Sequence, residues 1–384
     1  MSFSTRSLQE DVPNALTRAF AEARARGPVL DLTVSNPTTA GIAYDEGAIV
    51  RAFAEPRMLA YEPHALGLRS AREAVAEEIG ADASRVAITA STSEAYAILF
   101  KMLCDPGDEI LVPAPSYPLL GWLAAFEAVR LSPYPLVYAG GWHVDVDALR
   151  AAVTPRTRGI VVVSPNNPTG SYLGSEELEA MLDLGLPIVS DEVFARYPLG
   201  EHVPDGRLDT VLRATRGLVF SLSGLSKMAG LPQMKLGWIA AGGDPLHADA
   251  AIARLEIVLD AYLSVGTPVQ HALPALLAAG AETRRAISAR TRNNLAIVRE
   301  AIAAAPSATV LAVEGGWYVT LRVPETMNDE EWAVTLVSED AVHVHPGFFF
   351  DMDRGAHLVI SLLSPEAELR EGLARIVRRI AAAS

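Results

Sequence analysis

The sequence predicts an α/β fold: a three-layer large domain in which helices cover both faces of a mostly parallel sheet, followed by a smaller α+β domain. Short runs rich in Val and Ile alternate with longer helical patterns, as expected where helices connect parallel strands. After Gly316 the pattern changes to an alternating strand, a helix, another strand and a final helix. With 384 residues, 50% of them hydrophobic, the chain is long enough for two domains.

We therefore divide the chain into three parts: an N-terminal segment, residues 1–45, which packs with the small domain, a large domain, residues 46–275, and a small domain, residues 276–384. The apolar runs predict the strands of the large domain at 85–89, 109–112, 159–163, 187–190, 217–221 and 236–240. The pattern predicts helices at 93–103 and 278–305, small-domain strands at 315–324 and 341–345, and a terminal helix from Pro365.

The formal net charge of −14 argues against binding to nucleic acid or to anionic membranes, since both need clustered basic residues. No stretch approaches the roughly 18 apolar residues of a membrane span. The first 30 residues carry Arg, Glu and Asp without an apolar run, so no signal peptide is expected. Cys104 is the single cysteine, which excludes an internal disulfide and suits a reducing cytoplasm.

Only three of the 32 basic residues are lysines: Lys101, Lys227 and Lys235. Arg can replace Lys wherever a positive charge is enough, but a guanidinium cannot lose its proton and attack a carbonyl. Lys227 is therefore a candidate for forming a Schiff base. The alternative is that the lysines are ordinary surface charges in an Arg-rich chain, and Lys101 is interpreted that way, in the last turn of a helix.

Small polar residues follow the predicted strands, at the edge of the sheet where ligands bind in such folds. Ser91, Thr92 and Ser93 open a helix, where they either cap free N–H groups or hold a phosphate. Asn167 lies in the turn Ser164-Pro-Asn-Asn-Pro-Thr-Gly170, which is either structural or presents an amide to a ligand. Asp191 ends a buried strand, where it either caps the next helix or pairs with a protonated ring nitrogen.

Together the strand ends offer hydroxyls, an amide, a carboxylate and an amine. These are the groups that bind pyridoxal 5′-phosphate, which needs a phosphate cradle, a donor to the ring hydroxyl, an anion for the ring nitrogen and a lysine. The chain resembles, nearly end to end, the fold-type I pyridoxal phosphate-dependent enzymes of the class I/II aminotransferase family. The segments that carry the resemblance are Ser35-Asn-Pro-Thr38, residues 61–72 with Gly67, Ser91-Thr-Ser93, Pro115-Ser-Tyr-Pro118, Asn166-Asn-Pro-Thr-Gly170, Asp191-Glu192, Ser226-Lys227, Gly315-Gly316 and Pro346-Gly347.

The resemblance implies a role for each matching residue. Lys227 would form the Schiff base with the cofactor and, once freed by substrate, move the proton between the substrate carbon and the cofactor. Asp191 would pair with the ring nitrogen and keep it protonated. Asn167 would hydrogen-bond the ring hydroxyl, and Tyr117 would stack on the ring face.

The phosphate would be held by Ser91, Thr92 and Ser93 together with Lys235. The resemblance also implies that Tyr61 reaches the phosphate in the neighbouring subunit, so that the active sites are complete only in a homodimer. For the two tyrosines, Tyr61 and Tyr117, the alternative is an ordinary core or surface aromatic side chain.

The chain departs from the family pattern at several positions. Lys235 stands where an Arg usually binds the phosphate, and a Lys lacks the bidentate fork. Gly224 stands where a phosphate-binding Ser is common, so Ser223 is a candidate substitute. The residue three after Asp191 is Phe194, where many relatives carry a Tyr.

The largest departure concerns the substrate carboxylate. The Arg that usually clamps it aligns with Val359, which cannot bind a carboxylate. Either another cation does so, with Arg354, Arg322 and His345 as weak candidates, or the substrate has no α-carboxylate at that place. His343 and His345 share a face of the predicted strand at 341–345; we favour two polar residues over a metal site, and predict no metal.

The sequence thus predicts a homodimeric, cytoplasmic aminotransferase that takes an amino group from an amino acid or amine and passes it to a 2-oxo acid, using pyridoxal 5′-phosphate on Lys227. Within the same chemistry the alternative is a lyase, decarboxylase or oxidase, which the missing Arg favours. From another class, the alternative is a pyridoxal phosphate-binding regulatory protein without turnover.

Overall fold

The computed structural model describes residues 4–7, 14–352 and 354–383, so the parts of the predicted N-terminal segment at 1–3 and 8–13 lie outside the described residues. The α-helices are α1 Ala15–Arg26, α2 Glu46–Ala52, α3 Arg69–Ile79, α4 Thr92–Leu103, α5 Leu119–Phe126, α6 Val146–Ala152, α7 Ser175–Leu182, α8 Leu225–Met228, α9 Pro245–Asp260, α10 Thr267–Ile302, α11 Asp329–Glu339 and α12 Glu366–Ala383. The strands are β1 Leu30–Asp31, β2 Val86–Thr89, β3 Glu109–Ala114, β4 Arg130–Tyr138, β5 Trp142–Val144, β6 Thr157–Val163, β7 Ile188–Asp191, β8 Leu218–Gly224, β9 Gly237–Gly243, β10 Thr309–Val310, β11 Tyr318–Val323, β12 Val342–His343, β13 His345–Pro346 and β14 Ala356–Ser361.

The large domain is built on an eight-stranded sheet with the order β2-β9-β8-β7-β6-β3-β4-β5. The strands from β8 to β4 run parallel to one another, whereas β9 is antiparallel to both its neighbours, and β5 is antiparallel to β4. The predicted mostly parallel sheet is confirmed. The reversed direction of β9 was not predicted, and neither were β4 and β5.

Both faces of this sheet are apolar, because successive side chains of a strand point to opposite faces. Val161 and Val163 pack in a core with side chains of α4, α5 and α9. Ile160 and Val162, the alternate residues of the same strand, pack with α6 and α7 on the other face. This burial on both faces explains the near-continuous Val and Ile runs in the sequence.

The helices begin where the sequence supplies caps. Ser91 caps α4 by accepting a hydrogen bond from the Glu94 backbone N–H at 3.1 Å. Asp244 caps α9 and is followed by a proline at the first helical position, where a missing N–H costs nothing. None of the helices within the described residues is long and apolar enough to cross a bilayer.

The second unit contains the sheet β10-β11-β14-β13. Leu321, Leu358 and Ile360 of this sheet pack against α11 and α12. Leu16 and Leu32 from the N-terminal part of the chain lie in the same core, and β1 pairs in parallel with β12. The predicted change from a parallel sheet to an α+β unit after Gly316 is therefore found in the structure.

Candidate active site

The predicted site residues of the large domain gather at one edge of its sheet. The strands β2, β6, β7 and β8 end at this edge, and the antiparallel β9 begins there. The segments that follow the first four strands carry Ser91, Asn167, Asp191 and Lys227, and Lys235 precedes β9. The topology thus explains why four candidates follow a strand whereas the fifth precedes one.

Lys227 lies in the one-turn helix α8 directly after β8. Its Nζ lies 5.1 Å from the centre of the Trp317 ring and 5.9 Å from that of Phe194. Burial lowers the pKa of this amine, and the negative charge of Asp191 acts in the opposite direction. The site therefore favours a neutral, nucleophilic amine more than bulk water does.

Asp191 is the carboxylate at the end of β7. It accepts hydrogen bonds from the Tyr96 hydroxyl at 3.2 Å and from the Val193 backbone N–H at 3.1 Å. Burial raises its pKa to about 6 in spite of these donors and of Lys227. A cationic partner would stabilise its charged form.

Glu192, the next residue, is instead hydrogen-bonded within the protein interior. It accepts hydrogen bonds from the Ser221 hydroxyl at 2.6 Å and the Val211 backbone N–H at 2.8 Å. Burial raises its pKa to about 7. Because its oxygens are bound to protein donors, Glu192 holds neighbouring segments together and does not face the site.

The two adjacent asparagines differ in the same way. The Asn166 amide nitrogen donates to the Pro115 carbonyl at 3.0 Å and to the Thr169 hydroxyl at 2.9 Å. Asn167 is buried, yet its Oδ1 atom has no hydrogen-bond partner among the described residues. An unpaired buried polar atom is costly, so Asn167 is the one of the pair that is available to a ligand.

The N-terminus of α4 forms a narrow cradle with the start of β9. A Cβ atom added to Gly237 would lie 3.0 Å from the Ser91 carbonyl carbon and 3.1 Å from the Thr92 nitrogen. The side-chain oxygen of nearby Ser223 is buried and has no partner in the part of the chain that the structure describes. Free N–H groups at a helix start bind anions, so this cradle suits a phosphate.

Lys235 is exposed and adopts a left-handed conformation, with φ 50°. It lies two residues before Gly237 and therefore next to the cradle. Gly224 also packs closely against the start of β9. A Cβ atom added to Gly224 would lie 2.8 Å from the Leu236 carbonyl oxygen. Gly224 thus has a packing reason to lack a side chain.

The two predicted tyrosines lie in different places. Tyr117 is near Asp191, whose charge, together with burial, raises the tyrosine pKa. Tyr61 has 81% of its surface exposed and lines a separate cleft with His64, Leu263 and Gln270. The described chain does not bring Tyr61 together with the residues around Lys227.

Val359 lies in the centre of the small sheet, opposite Thr320 of β11 and His345 of β13. Of the three alternative anchors, Arg322 and Arg354 are exposed. Burial lowers the pKa of His345 to about 4, so this ring is neutral at pH 7. His343 lies 3.3 Å from Asp31, and the described residues include no group of three or more potential metal ligands.

Three further side chains contact the site residues. Tyr96 donates to Asp191, Tyr197 donates to the backbone carbonyl of Lys227, and Trp317 covers the amine. Tyr96 could have been found from its spacing, since it lies one helical turn after Thr92 in α4. The other two depend on how distant segments fold together.

A half-buried lysine beside a half-buried carboxylate at the edge of such a sheet is, with this fold, typical of the class of pyridoxal phosphate-dependent transferases. The family model described as "Aminotransferase class I and II" matches residues 28–376. The chain belongs to this family, whose members are pyridoxal phosphate-dependent enzymes.

Individual relatives agree with this assignment. The glutamate-pyruvate aminotransferase AlaA of Escherichia coli is 32% identical over 266 residues, which cover 65% of this chain and 63% of the relative's length. The arginine-pyruvate transaminase AruH of Pseudomonas aeruginosa is 28% identical over 94% of this chain and 92% of its own length. The solved structure of an alanine aminotransferase from Pyrococcus furiosus superposes with a TM-score of 0.86 at 25% identity, over 99% of this chain and 100% of that one.

The residues of this chain fit the cofactor of the family. The half-buried carboxyl of Asp191 could pair with a ring nitrogen, the Asn167 Oδ1 atom, which has no partner among the described residues, could accept from a ring hydroxyl, and the cradle closed by Gly237 could hold a phosphate. Each is incompletely satisfied by the protein alone. Such a set is expected where a ligand completes the hydrogen bonding.

Proposed function

We propose that this protein transfers an amino group between an amino acid or amine and a 2-oxo acid, with pyridoxal 5′-phosphate held by Lys227. The observation that carries the proposal is the position of Lys227, enclosed by Trp317 and Phe194 and within the electrostatic influence of Asp191. When bound, the cofactor supplies an electron-poor ring that stabilises negative charge at the substrate carbon.

The residues of the chain itself would bind and orient the cofactor. Asp191 would pair with the ring nitrogen, Asn167 would bind the ring hydroxyl, and Tyr117 would cover the ring. Tyr96 and the Val193 N–H fix the Asp191 carboxylate from behind. The unprotonated amine of Lys227, favoured by burial, would accept and return a proton at its Nζ.

The phosphate would bind the N-terminus of α4 through Ser91, Thr92 and Ser93, with Lys235 as a nearby cation. We propose that Tyr61 of a second copy of the chain completes this site, because Tyr61 is exposed and lines a cleft that does not include Lys227. Exposed Val50, Leu59 and Leu263 support an apolar contact between two copies.

The proposal includes the organisation and location of the protein. Residues 1–45 would form a segment that packs with the small domain, residues 46–275 the cofactor-binding domain and residues 276–384 the small domain, with α10 running through the 275/276 boundary. A cytoplasmic location is proposed from the single cysteine, Cys104.

The chain's three lysines make a direct test possible. The cofactor-loaded protein is reduced with borohydride and its peptides are mapped by mass spectrometry. We expect one pyridoxyl adduct, on Lys227, which persists in a Lys101→Arg control and is lost in Lys227→Arg. An adduct only on another lysine, or none, would overturn the proposal.

A second measurement separates transamination from the alternative reactions. A stoichiometric change of cofactor absorbance on adding an amine, reversed by an oxo acid, marks amino transfer. An amine that is consumed over many turnovers without an oxo acid marks a lyase, decarboxylase or oxidase. Val359, which stands where the family usually has an Arg, is the observation that favours these alternative reactions.

A further inference from the structure

We infer that the face of the small sheet around Val359 selects substrates whose amine-bearing carbon carries an uncharged hydrogen-bonding group, such as a hydroxymethyl or carboxamide, in place of a carboxylate. This inference rests on the proposed function and specifies its substrate. We call the surface formed by Thr320, Val359 and His345 the neutral face.

The register of the sheet creates the neutral face. Val359 pairs with Thr320 on one side and with His345 on the other, and directly paired residues project from the same side of an antiparallel sheet. The alternate residues Leu358 and Ile360 face the opposite side, in the core of the small domain. Thr320, Val359 and His345 are therefore neighbours on the side away from that core.

The neutral face points towards the lysine. Tyr318 lies two residues before Thr320 on β11, hence on the same side. Its ring packs edge-on against Phe194 at 6.3 Å, and Phe194 lies 5.9 Å from the Lys227 Nζ. The pKa of Tyr318, raised mainly by burial, is also raised by Tyr117, which again connects this side of the sheet to the site.

Two polar atoms on the neutral face have no partner. Thr320 Oγ1 and His345 Nδ1 are both buried and make no hydrogen bond in the described structure. A threonine hydroxyl both donates and accepts, and a neutral imidazole nitrogen does one or the other according to its tautomer. A hydroxyl or carboxamide can do both, so either group could pair with both atoms.

A carboxylate is disfavoured at the same place. Val359 has no exposed surface, and the Ser361 hydroxyl holds the segment that contains Val34 against the same strand. A group on this face is therefore removed from water. An ionised group moved into such surroundings needs a cation, and His345 does not supply one at pH 7.

The exposed arginines do not supply the cation either. Arg322 lies on the same side of β11 as Thr320, two residues and about 7 Å further from Tyr318, but its side chain is exposed and acts electrostatically on His357, its partner across the sheet. Arg354 is exposed in the turn before β14. Both lie towards the end of the sheet that is remote from Tyr318.

The test compares matched amines that differ only at the group next to the amine. Alanine, 2-amino-1-propanol and alaninamide are each mixed with the cofactor-loaded protein, as are the corresponding leucine and tyrosine derivatives, and the half-saturating concentration of the absorbance change is measured. We expect the alcohol or amide of at least one series to saturate at concentrations at least tenfold lower than the acid. A wild-type preference for the acids would overturn the inference.

Two variants identify the residues responsible. Thr320→Val should weaken the preference for the neutral amine about tenfold, the effect of losing one hydrogen bond. Val359→Arg should reverse the preference towards the acid. The matched control is Thr309→Val, the same change at an exposed position of β10, which should leave the preference unaltered.

A binding measurement separates this inference from the proposed function. Calorimetry of the loaded protein with propionate and with propanamide needs no turnover, and the amide should bind more tightly to the wild type. If no amine reacts but propanamide binds more tightly than propionate, the proposed reaction fails while the binding preference of the neutral face is still found. If amino acids react readily, and Thr320→Val changes neither the preference among the matched amines nor the preference for propanamide over propionate, the inference alone fails.

Discussion

Asp191 and Glu192 are adjacent in sequence and chemically alike, yet Glu192 is buried, Asp191 is half-buried, and the two have different surroundings. Both carboxyl pKa values are raised by burial, to about 6 and about 7. Glu192 accepts hydrogen bonds from Ser221 of β8 and from the Val211 N–H, whereas Asp191 interacts electrostatically with Lys227. Successive side chains of a strand point to opposite faces. Only one of the two adjacent carboxylates at the end of β7 can therefore face a ligand.

Replacing Asp191 with Asn should change how the stability of the cofactor-free protein depends on pH. The folded pKa of about 6 lies above the ordinary value of 3.8, so the folded state binds the proton more tightly than the unfolded state. The contribution of this carboxyl to the stability of the wild type should therefore fall as pH rises from about 4 to about 6. Between pH 4 and pH 6, the free energy of unfolding of Asp191→Asn should rise by up to about 3 kcal/mol relative to that of the wild type. Urea unfolding at each pH measures this difference.

The control for this prediction is Asp147→Asn, because Asp147 is almost fully exposed. Its difference from the wild type should remain nearly constant between pH 4 and pH 7. If the Asp191→Asn difference is also constant over this range, the carboxyl of Asp191 is not perturbed by burial as described.

At the residue scale, the sequence identified candidate positions at strand ends but not the contacts around them. Lys227, Asp191 and Asn167 follow strands, and a strand end is visible in the apolar pattern. The sequence could not show that Asn166 is saturated by Pro115 and Thr169 while Asn167 is not. That difference depends on a contact between segments about 50 residues apart.

At the scale of elements, the site depends on how closely the start of β9 approaches the start of α4. The sequence predicted a strand at 236–240 but not its direction, because apolar runs look alike in parallel and antiparallel strands. The antiparallel direction brings Gly237, rather than Gly243, to the Ser91 and Thr92 backbone. β4 and β5 were missed because several of their residues are exposed and break the apolar pattern.

Gly237→Ala should weaken cofactor binding more than it affects folding. The new methyl group would lie about 3 Å from the backbone of Ser91 and Thr92, so the helix start would have to shift. We expect the dissociation constant of the cofactor to rise at least tenfold, with a loss of about 1–3 kcal/mol in the free energy of unfolding. Absorbance titration and urea unfolding measure the two effects.

Gly242→Ala is the matched control at the other end of β9. Its methyl group would contact the side chains of Leu212 and Val219 at 3.1 and 3.3 Å, away from the site. It should lower stability without changing cofactor affinity. Equal losses of affinity in both variants would show that affinity follows overall stability and not the cradle.

At the scale of the whole molecule, the described chain leaves Tyr61 apart from the residues around Lys227. Tyr61 is 81% exposed, and Leu59 beside it is 85% exposed. Large apolar side chains grouped on a surface usually mark a contact with another protein. A single chain could not reveal by sequence alone which subunit Tyr61 serves, because that depends on the symmetry of the assembly.

Mixed dimers decide whether Tyr61 acts in its own subunit or in its partner. One chain carries Lys227→Ala and the other carries Tyr61→Phe, with different affinity tags so that the heterodimer can be purified. If Tyr61 serves the partner, one of the two sites is entirely wild type, because it combines the intact Lys227 of one chain with the intact Tyr61 of the other. That site should bind the cofactor with wild-type affinity, whereas the Tyr61→Phe homodimer should bind it about tenfold more weakly through loss of one hydrogen bond to a charged group.

The reciprocal heterodimer gives the opposite result and serves as the control. One chain carries both Lys227→Ala and Tyr61→Phe, and its partner is wild type. If Tyr61 acts across the interface, the site with the intact Lys227 receives the phenylalanine of its partner at position 61. The affinity of that site for the cofactor should then fall about tenfold. If Tyr61 acts within its own chain, this heterodimer keeps a wild-type site and the first one loses it, so the two outcomes exchange places. A chain that sediments as a monomer at micromolar concentration while binding the cofactor fully would contradict the shared site directly.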